Sequence, residues 1–267
     1  MIMPLTDLIR YFNAADSAED SMLYADGERA AAWHMGLRLG SLFQPIVDLR
    51  QGRVVGHQAT LLARYEDGSP VSSEAAYALC ESAESLVHFD RLSRTLHALN
   101  FLAQQRYAGG YLQLAVHPRH LHAVQSQHGL VYEAILKRCG LAPADIVLDI
   151  DTEHIGDHAV FGQALSNYRQ RGYRLALGPL SADTDLDGLL ALRPNILKLA
   201  PGASREIHDF VRQTGIATAL IGIETASEHE SACAAGIDFG QGSLFGAPQA
   251  DCQPTHNSQR LAYNSTS

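Results

Sequence analysis

A single (β/α)8 barrel, an α/β fold, is what this sequence predicts, and three observations predict it. Short apolar runs alternate with helical stretches from residue 42 onward, and the 146–150 run is of the continuous apolar type, broken only by Asp149, as in a parallel sheet covered on both faces. Eight such runs fall between residues 42 and 248. No tandem repeat or low-complexity linker divides them, and 267 residues suffice for one barrel with a full core.

Taken in order, residues 1–40 read as a short N-terminal helical extension. Thr6 is placed to cap a helix whose apolar face is Leu5, Leu8, Ile9 and Phe12. An acidic stretch, 13–20, separates it from a second helix over 28–39 that carries the only tryptophan, Trp33. The extension reads as a segment packed on the barrel or as a docking arm for a partner. The barrel begins with a strand over 42–47, a turn at 50–52 and a strand over 53–62. Helices follow over 73–85 and 89–107, the second with Leu92, Leu96, Leu99 and Leu102 on one face. Further strands are expected over 111–116, 146–150, 174–177, 195–199, 217–221 and 238–239. Between them helices are expected over 130–139, 160–171, 186–192, 204–213 and 227–235, several stopped by a glycine. The domain layout is then 1–40 extension, 41–250 barrel and 251–267 polar tail.

Composition narrows the function classes. A net charge of −9, with no Lys/Arg cluster to offset it, disfavours non-specific binding to nucleic acid or to an anionic membrane. No run approaches the roughly 20 apolar residues that span a bilayer. The opening MIMPLTDLIRYF lacks a basic segment ahead of an apolar one, so a cytoplasmic protein is expected. Cys80, Cys139, Cys233 and Cys252 are widely spaced without a CxxC pair and read as isolated buried thiols.

The stretch FQPIVDLRQGRVVGHQATLLAR at 43–64 is distinctive, as are LRPNILKL at 192–199, GIET at 222–225 and QGSLFGAP at 241–248. Together they resemble the EAL-domain family, bacterial phosphodiesterases of cyclic di-GMP, over nearly all of residues 42–248. The resemblance implies a TIM-type barrel of the EAL kind. It also implies one or two divalent metals, held by carboxylates and an Asn, that generate hydroxide to attack a phosphodiester. Mg²⁺ and Mn²⁺ are hard cations that need such oxygen ligands. At the positions that the resemblance assigns to this set, the sequence departs. Gln58 stands for the signature Glu, Ala115 for the Asn, Gly178 and Pro179 for two Asp, Ala200 for an Asp and Ile221 for a Glu.

Other positions survive. Gln44, Lys198, Glu224 and Gln241 match the family, and Asp149 stands where it has Glu. The phosphate-gripping Arg expected four residues after the signature Glu is Leu62, with Arg64 two residues further on the same strand face. These six residues, Gln44, Arg64, Asp149, Lys198, Glu224 and Gln241, are the ligand-binding candidates. Glu224 and Lys198 read equally as ligand contacts or as an ion pair across neighbouring strands.

The expectation is therefore a catalytically inactive EAL-like regulatory module, acting through protein–protein contacts in bacterial signalling, with no Mg or Mn cofactor. The alternatives are a non-hydrolysing cyclic di-GMP receptor and, third, a weak phosphodiesterase. The family resemblance adds a homodimer. Candidate surfaces are the N-terminal extension and the barrel mouth around Gln58, Ala115, Gly178 and Ala200.

The remaining motifs read as bland. His117, His120 and His122, and His154 with His158, read as surface or loop histidines, since no third zinc ligand is fixed. The acidic run 183–188 lacks the twelfth-position Glu of a calcium loop, where Pro194 stands, and reads as a solvated loop. Asn264-Ser265-Thr266 matches a glycosylation acceptor but has no secretion signal to go with it.

Overall fold

The computed structural model describes residues 4–15, 21–108, 110–123, 133, 136–138, 140–152, 158–181 and 184–253. Helix α1 (Leu5–Ala15) and a hairpin of β1 (Ser21–Asp26) and β2 (Arg29–His34) come first. Then follow the long strands β3 (Leu37–Asp48) and β4 (Arg53–Tyr65), the two-residue β5 (Pro70–Val71), and helices α2 (Ser73–Ala78) and α3 (Ala83–Ala108). Strands β6 (Tyr111–Ala115), β7 (Ile146–Ile150), β8 (Arg174–Leu180), β9 (Ile196–Leu199), β10 (Ala217–Leu220) and β11 (Phe239–Gly240) complete the barrel.

The closed ring runs β3-β11-β10-β9-β8-β7-β6-β4, and pairing of β3 with β4 shuts it. Seven of these strands are parallel; β3 is antiparallel to both of its neighbours, β4 and β11. That reversal has a geometric result. The last pairing of β4 with β6 is Ala59 with Leu114, so residues beyond it, paired with Leu37–Leu42 of β3, stand above the mouth as a ribbon. The hairpin extends this ribbon on one side and β5 on the other.

Packing follows from the period-two pattern. Leu23, Ala30, Ala32, Leu37, Leu39 and Ala63 are buried in one core with Leu8, Ile9 and Phe12 of α1 and with Phe89, Leu92 and Leu96 of α3. The exposed edge of β1 is blunted at its centre: the Asn13 amide of α1 donates to the Leu23 carbonyl at 2.8 Å and accepts its N–H at 2.9 Å. An amide side chain thus mimics a neighbouring strand where an open edge invites pairing.

The barrel strands stand where the sequence places them, within a few residues; the extension does not. Residues 28–39 form strand and turn instead of a second helix. Ala-rich RAAAWH has helix propensity, but Gly27-Glu28 and Met35-Gly36 form two-residue hairpin turns, with φ of 63° at Gly27, 47° at Met35 and 77° at Gly36. Pairing with β1 and β3, with Ala30, Ala31 and Ala32 all buried, then overrides propensity. Strand β3 runs across residue 40, so no element ends there. Thr6 lies inside α1, and Pro4 provides the carbonyl that accepts the first N–H groups. The expected 73–85 helix breaks after Ala78, and α3 starts at Ala83.

Three smaller readings change. His120 is no surface histidine: it is 4% exposed, with Nδ1 3.2 Å from the fully buried Asp90 carboxylate that also pairs with Arg94. His117 stacks on Tyr77 at 4.3 Å. Cys233 is exposed, whereas Cys80 and Cys252 are buried. Asp185 in the acidic run caps the helix Leu186–Ala191 by accepting the Gly188 N–H at 3.1 Å. Most of the expected 130–139 helix, His154, Asp183 and the 264–266 motif lie outside the described residues. Among the described residues no helix is long and apolar enough to cross a membrane.

Candidate functional site

Six polar side chains converge on the barrel mouth, each from a strand or the residue after one: Gln44 on β3, Gln58 on β4, Gln113 on β6, Asp149 on β7, Lys198 on β9, and Gln241 after β11. Strand register brings them level. Gln44 pairs with Gln58 and Gln58 with Gln113 in the ladder, so three amides stand side by side. Four of the six are buried, with Asp149 6%, Lys198 7%, Gln113 4% and Gln241 7% exposed.

The hydrogen bonds form one chain across the mouth. Lys198 Nζ donates to both oxygens of Asp149, at 2.8 and 2.7 Å. Oδ2 of Asp149 also accepts Nε2 of Gln58 and of Gln113, each at 3.1 Å. Gln241 Nε2 donates to Oε1 of Gln58 at 2.7 Å and to Oε1 of Gln44 at 2.9 Å. Gln44 Nε2 closes the chain on the Gly246 carbonyl at 3.0 Å. A carboxylate offers about four acceptor positions, and four donor contacts reach this one, three on Oδ2 and one on Oδ1. The buried ammonium cancels the buried carboxylate, so the six side chains carry no net charge.

The remaining candidates are not part of this arrangement. Glu224 does not pair with Lys198. It is exposed at the start of helix Ala226–Ala234, where its backbone N–H donates to Glu228 Oε2 at 2.8 Å in the capping contact of Thr225. The partner of Lys198 is Asp149. Arg64 lies on the ribbon above the barrel, exposed, and donates to the Gly68 carbonyl at 2.9 Å. Ala115 is exposed at the end of β6, while Pro179, Ala200 and Ile221 are half-buried around the rim. Gly178 is buried, and a Cβ there would stand 2.5 Å from the Lys198 carbonyl oxygen. Gln113 is the residue that sequence reasoning missed. The signal was available: it shares strand parity with Ala115, a position already assigned to the mouth.

Among the described residues no group of three His, Cys, Asp or Glu side chains is placed to hold a metal ion. The family model for the EAL domain matches residues 36–248. Solved structures share the fold. EAL enzyme Bd1971, in its cAMP- and cyclic-di-GMP-bound form, superposes with a TM-score of 0.69 at 18% identity, covering 85% of this chain and 64% of that one. The Bacillus subtilis YkuI protein, with an EAL domain and in complex with substrate c-di-GMP and calcium, gives 0.68 at 20% identity, covering 85% and 59%. Klebsiella pneumoniae BlrP1, in a manganese/cy-diGMP complex, gives 0.67 at 22%, covering 92% and 67%. This chain thus spans less than two thirds of the first two. Among curated proteins no sequence matches.

Proposed function

The chain belongs to the EAL-domain family, and from that membership we propose that it is a catalytically silent member, a regulatory module acting through a protein partner in cyclic di-GMP signalling. The observation that carries this reading is the Lys198–Asp149 contact. Both oxygens of Asp149 are contacted by an ammonium at 2.7–2.8 Å, and the positions that the family resemblance assigns to the other ligands are amide, glycine, proline or aliphatic. A hard divalent cation needs several anionic or carbonyl oxygens free to point at one centre. Here the donor set does not fit such a cation, and hydrolysis through metal-bound hydroxide has no place to start.

The receptor alternative has less support. The mouth donors are spent on one another, and Arg64 stands on the ribbon, five residues beyond the last β4–β6 pair. A protein-contact role draws support from exposure: Met22 at 52%, Met35 at 42% and Tyr65 at 49% all lie on the ribbon and its hairpin.

The test is incubation of the purified chain with cyclic di-GMP and Mn²⁺ or Mg²⁺, read as linear dinucleotide, alongside calorimetric titration of the nucleotide. No product and no heat are expected. Turnover that stops on chelation sinks the silent-module reading, and tight binding without turnover transfers the role to a receptor.

A further inference from the structure

Beside the mouth lies a second polar feature that the family match covers only in part, because Asp26, Arg29, Ala30 and Ala31 of its lining come from the hairpin. The ladder between β2 and β3 stops at Ala32 with Leu39, and the strands then part. The gap is floored by Asn100 of α3, whose amide bonds both backbone groups of Ala30, at 2.8 and 2.9 Å, and the Ser41 hydroxyl at 3.2 Å. Above this floor is a cavity of about 250 Å³ lined by Ala31, Gly40 and Leu62 and by Arg29, Arg38, Arg64 and Asp26.

Arg29, Arg38 and Arg64 meet two carboxylates here, Asp26 in the lining and Asp251 paired with Arg29, which leaves one guanidinium in excess in a chain of net −9. Arg38 and Arg64 are direct cross-strand partners, a like-charge placement that works against the sheet. Their neighbours hold them loosely. Arg38 pairs with Asp26 at 2.7 Å, with side chains 52% and 54% exposed, and Arg29 pairs with Asp251 at 2.5 Å, 35% and 77% exposed. Solvent-exposed pairs of this kind contribute little and exchange readily for a better anion. Arg64 has only the Gly68 carbonyl.

We propose that this pit is a binding site for the phosphate group of a small soluble metabolite. One guanidinium satisfies a planar carboxylate, whereas three from three strands suit a tetrahedral oxyanion with acceptors in every direction. The volume sets the class of ligand. It lies below the roughly 300–1,000 Å³ of pockets that bury a whole drug-sized molecule, so it has room to bury a phosphate or a sugar phosphate. The site is independent of whether the barrel mouth is silent.

The experiment is calorimetric titration of inorganic phosphate, then ribose 5-phosphate, into the full chain at low ionic strength. Saturable binding is expected, weakened roughly tenfold or more by Arg64→Gln, since a charge-assisted hydrogen bond is lost. Gly40→Leu tests the cavity with every charge in place. A Cβ on Gly40 meets Leu62 at an ordinary 3.6 Å, so the added side chain enters the pit, and binding should vanish while the melting temperature holds. Should Gly40→Leu misfold, the surface change Arg64→Gln still decides the matter. Binding that is unaltered in both variants, or no saturable heat in the parent, overturns the proposal. So does preference for a Glu-rich peptide or for phosphatidic acid vesicles over the soluble phosphates.

Discussion

The barrel mouth and the pit on its rim lie on one continuous sheet face, yet they treat charge in opposite ways. In the mouth Lys198 and Asp149 cancel, and amides from four strands or strand ends take up the remaining bonds. On the rim Arg38 and Arg64 face each other across the ladder, with exposed carboxylates only at the margin. A self-satisfied buried network has nothing left to offer a ligand, whereas a like-charged pair leaves something to be gained by binding one. The contrast leaves the unbalanced charge on the ribbon above the barrel, outside its centre.

The sharpest way to break this comparison is to unbalance the mouth. Lys198→Met leaves Asp149 buried beside amides with no counter-charge, and loss of one partner of a buried pair costs about 3–5 kcal/mol. Urea unfolding should register that loss. The double variant Lys198→Met with Asp149→Leu should recover most of it, because the pair as a whole contributes little beyond its own desolvation. A mild effect of Lys198→Met alone would mean that solvent reaches the mouth and that the network is not sealed.

Next in size is acid sensitivity, which tests how dry the barrel wall is just outside Gln58. His57 is fully buried against α3, and burial pushes its pKa down to about 4, with the Gln253 backbone offsetting only part. Burial does the same to His97, also to about 4, although its Nδ1 meets the Ser41 hydroxyl at 2.8 Å. A depressed folded pKa means that the unfolded chain binds the proton first. Stability is therefore complete above the ordinary histidine value of about 6.5 and is lost as pH falls toward 4. Between pH 7 and pH 5 each group removes about 2 kcal/mol. Between pH 7 and pH 5 the parent should lose about 2 kcal/mol more than His57→Leu does, whichever is the more stable at pH 7; parallel curves would show that His57 is already hydrated.

The fold was legible because buried strands announce themselves. β7 is five consecutive apolar or inward residues with only Asp149 polar, and its bounds fall at 146 and 150 as the sequence suggests. The extension was not legible, since RAAAWH favours a helix in isolation and becomes a strand only when β3 is present to pair with it. The mouth was half legible. Which ligands are missing could be read position by position, but the partner of Lys198 could not. Glu224 looked equivalent to Asp149 in sequence, and only the capping contact at Glu228 explains why it turns outward. Gln113 was overlooked because no family position drew attention to it.

A third test asks whether one substitution can reopen the mouth. Gly178 stands at φ 141°, a conformation suited to glycine, with the Lys198 carbonyl 2.5 Å from any added Cβ. Gly178→Asp should cost about 1–3 kcal/mol in backbone strain, before any relief of the clash. It should bring no Mn²⁺-dependent hydrolysis, since Lys198 still occupies Asp149. Activity gained by this change alone would overturn the silent-member reading, in which the ammonium and the lost ligands close the site together.

The smallest effect belongs to the rim. Arg64→Gln removes one member of the like-charged cross-strand pair while leaving the Arg38–Asp26 contact intact. The melting temperature should rise slightly at low ionic strength and match the parent near 1 M salt, where the screening length is roughly 3 Å. Added phosphate should reverse the order, stabilising the parent more than the variant, because only the parent keeps the third guanidinium. A variant that is less stable than the parent without phosphate would make Arg64 a structural residue through its Gly68 contact, and the rim would then be as self-satisfied as the mouth.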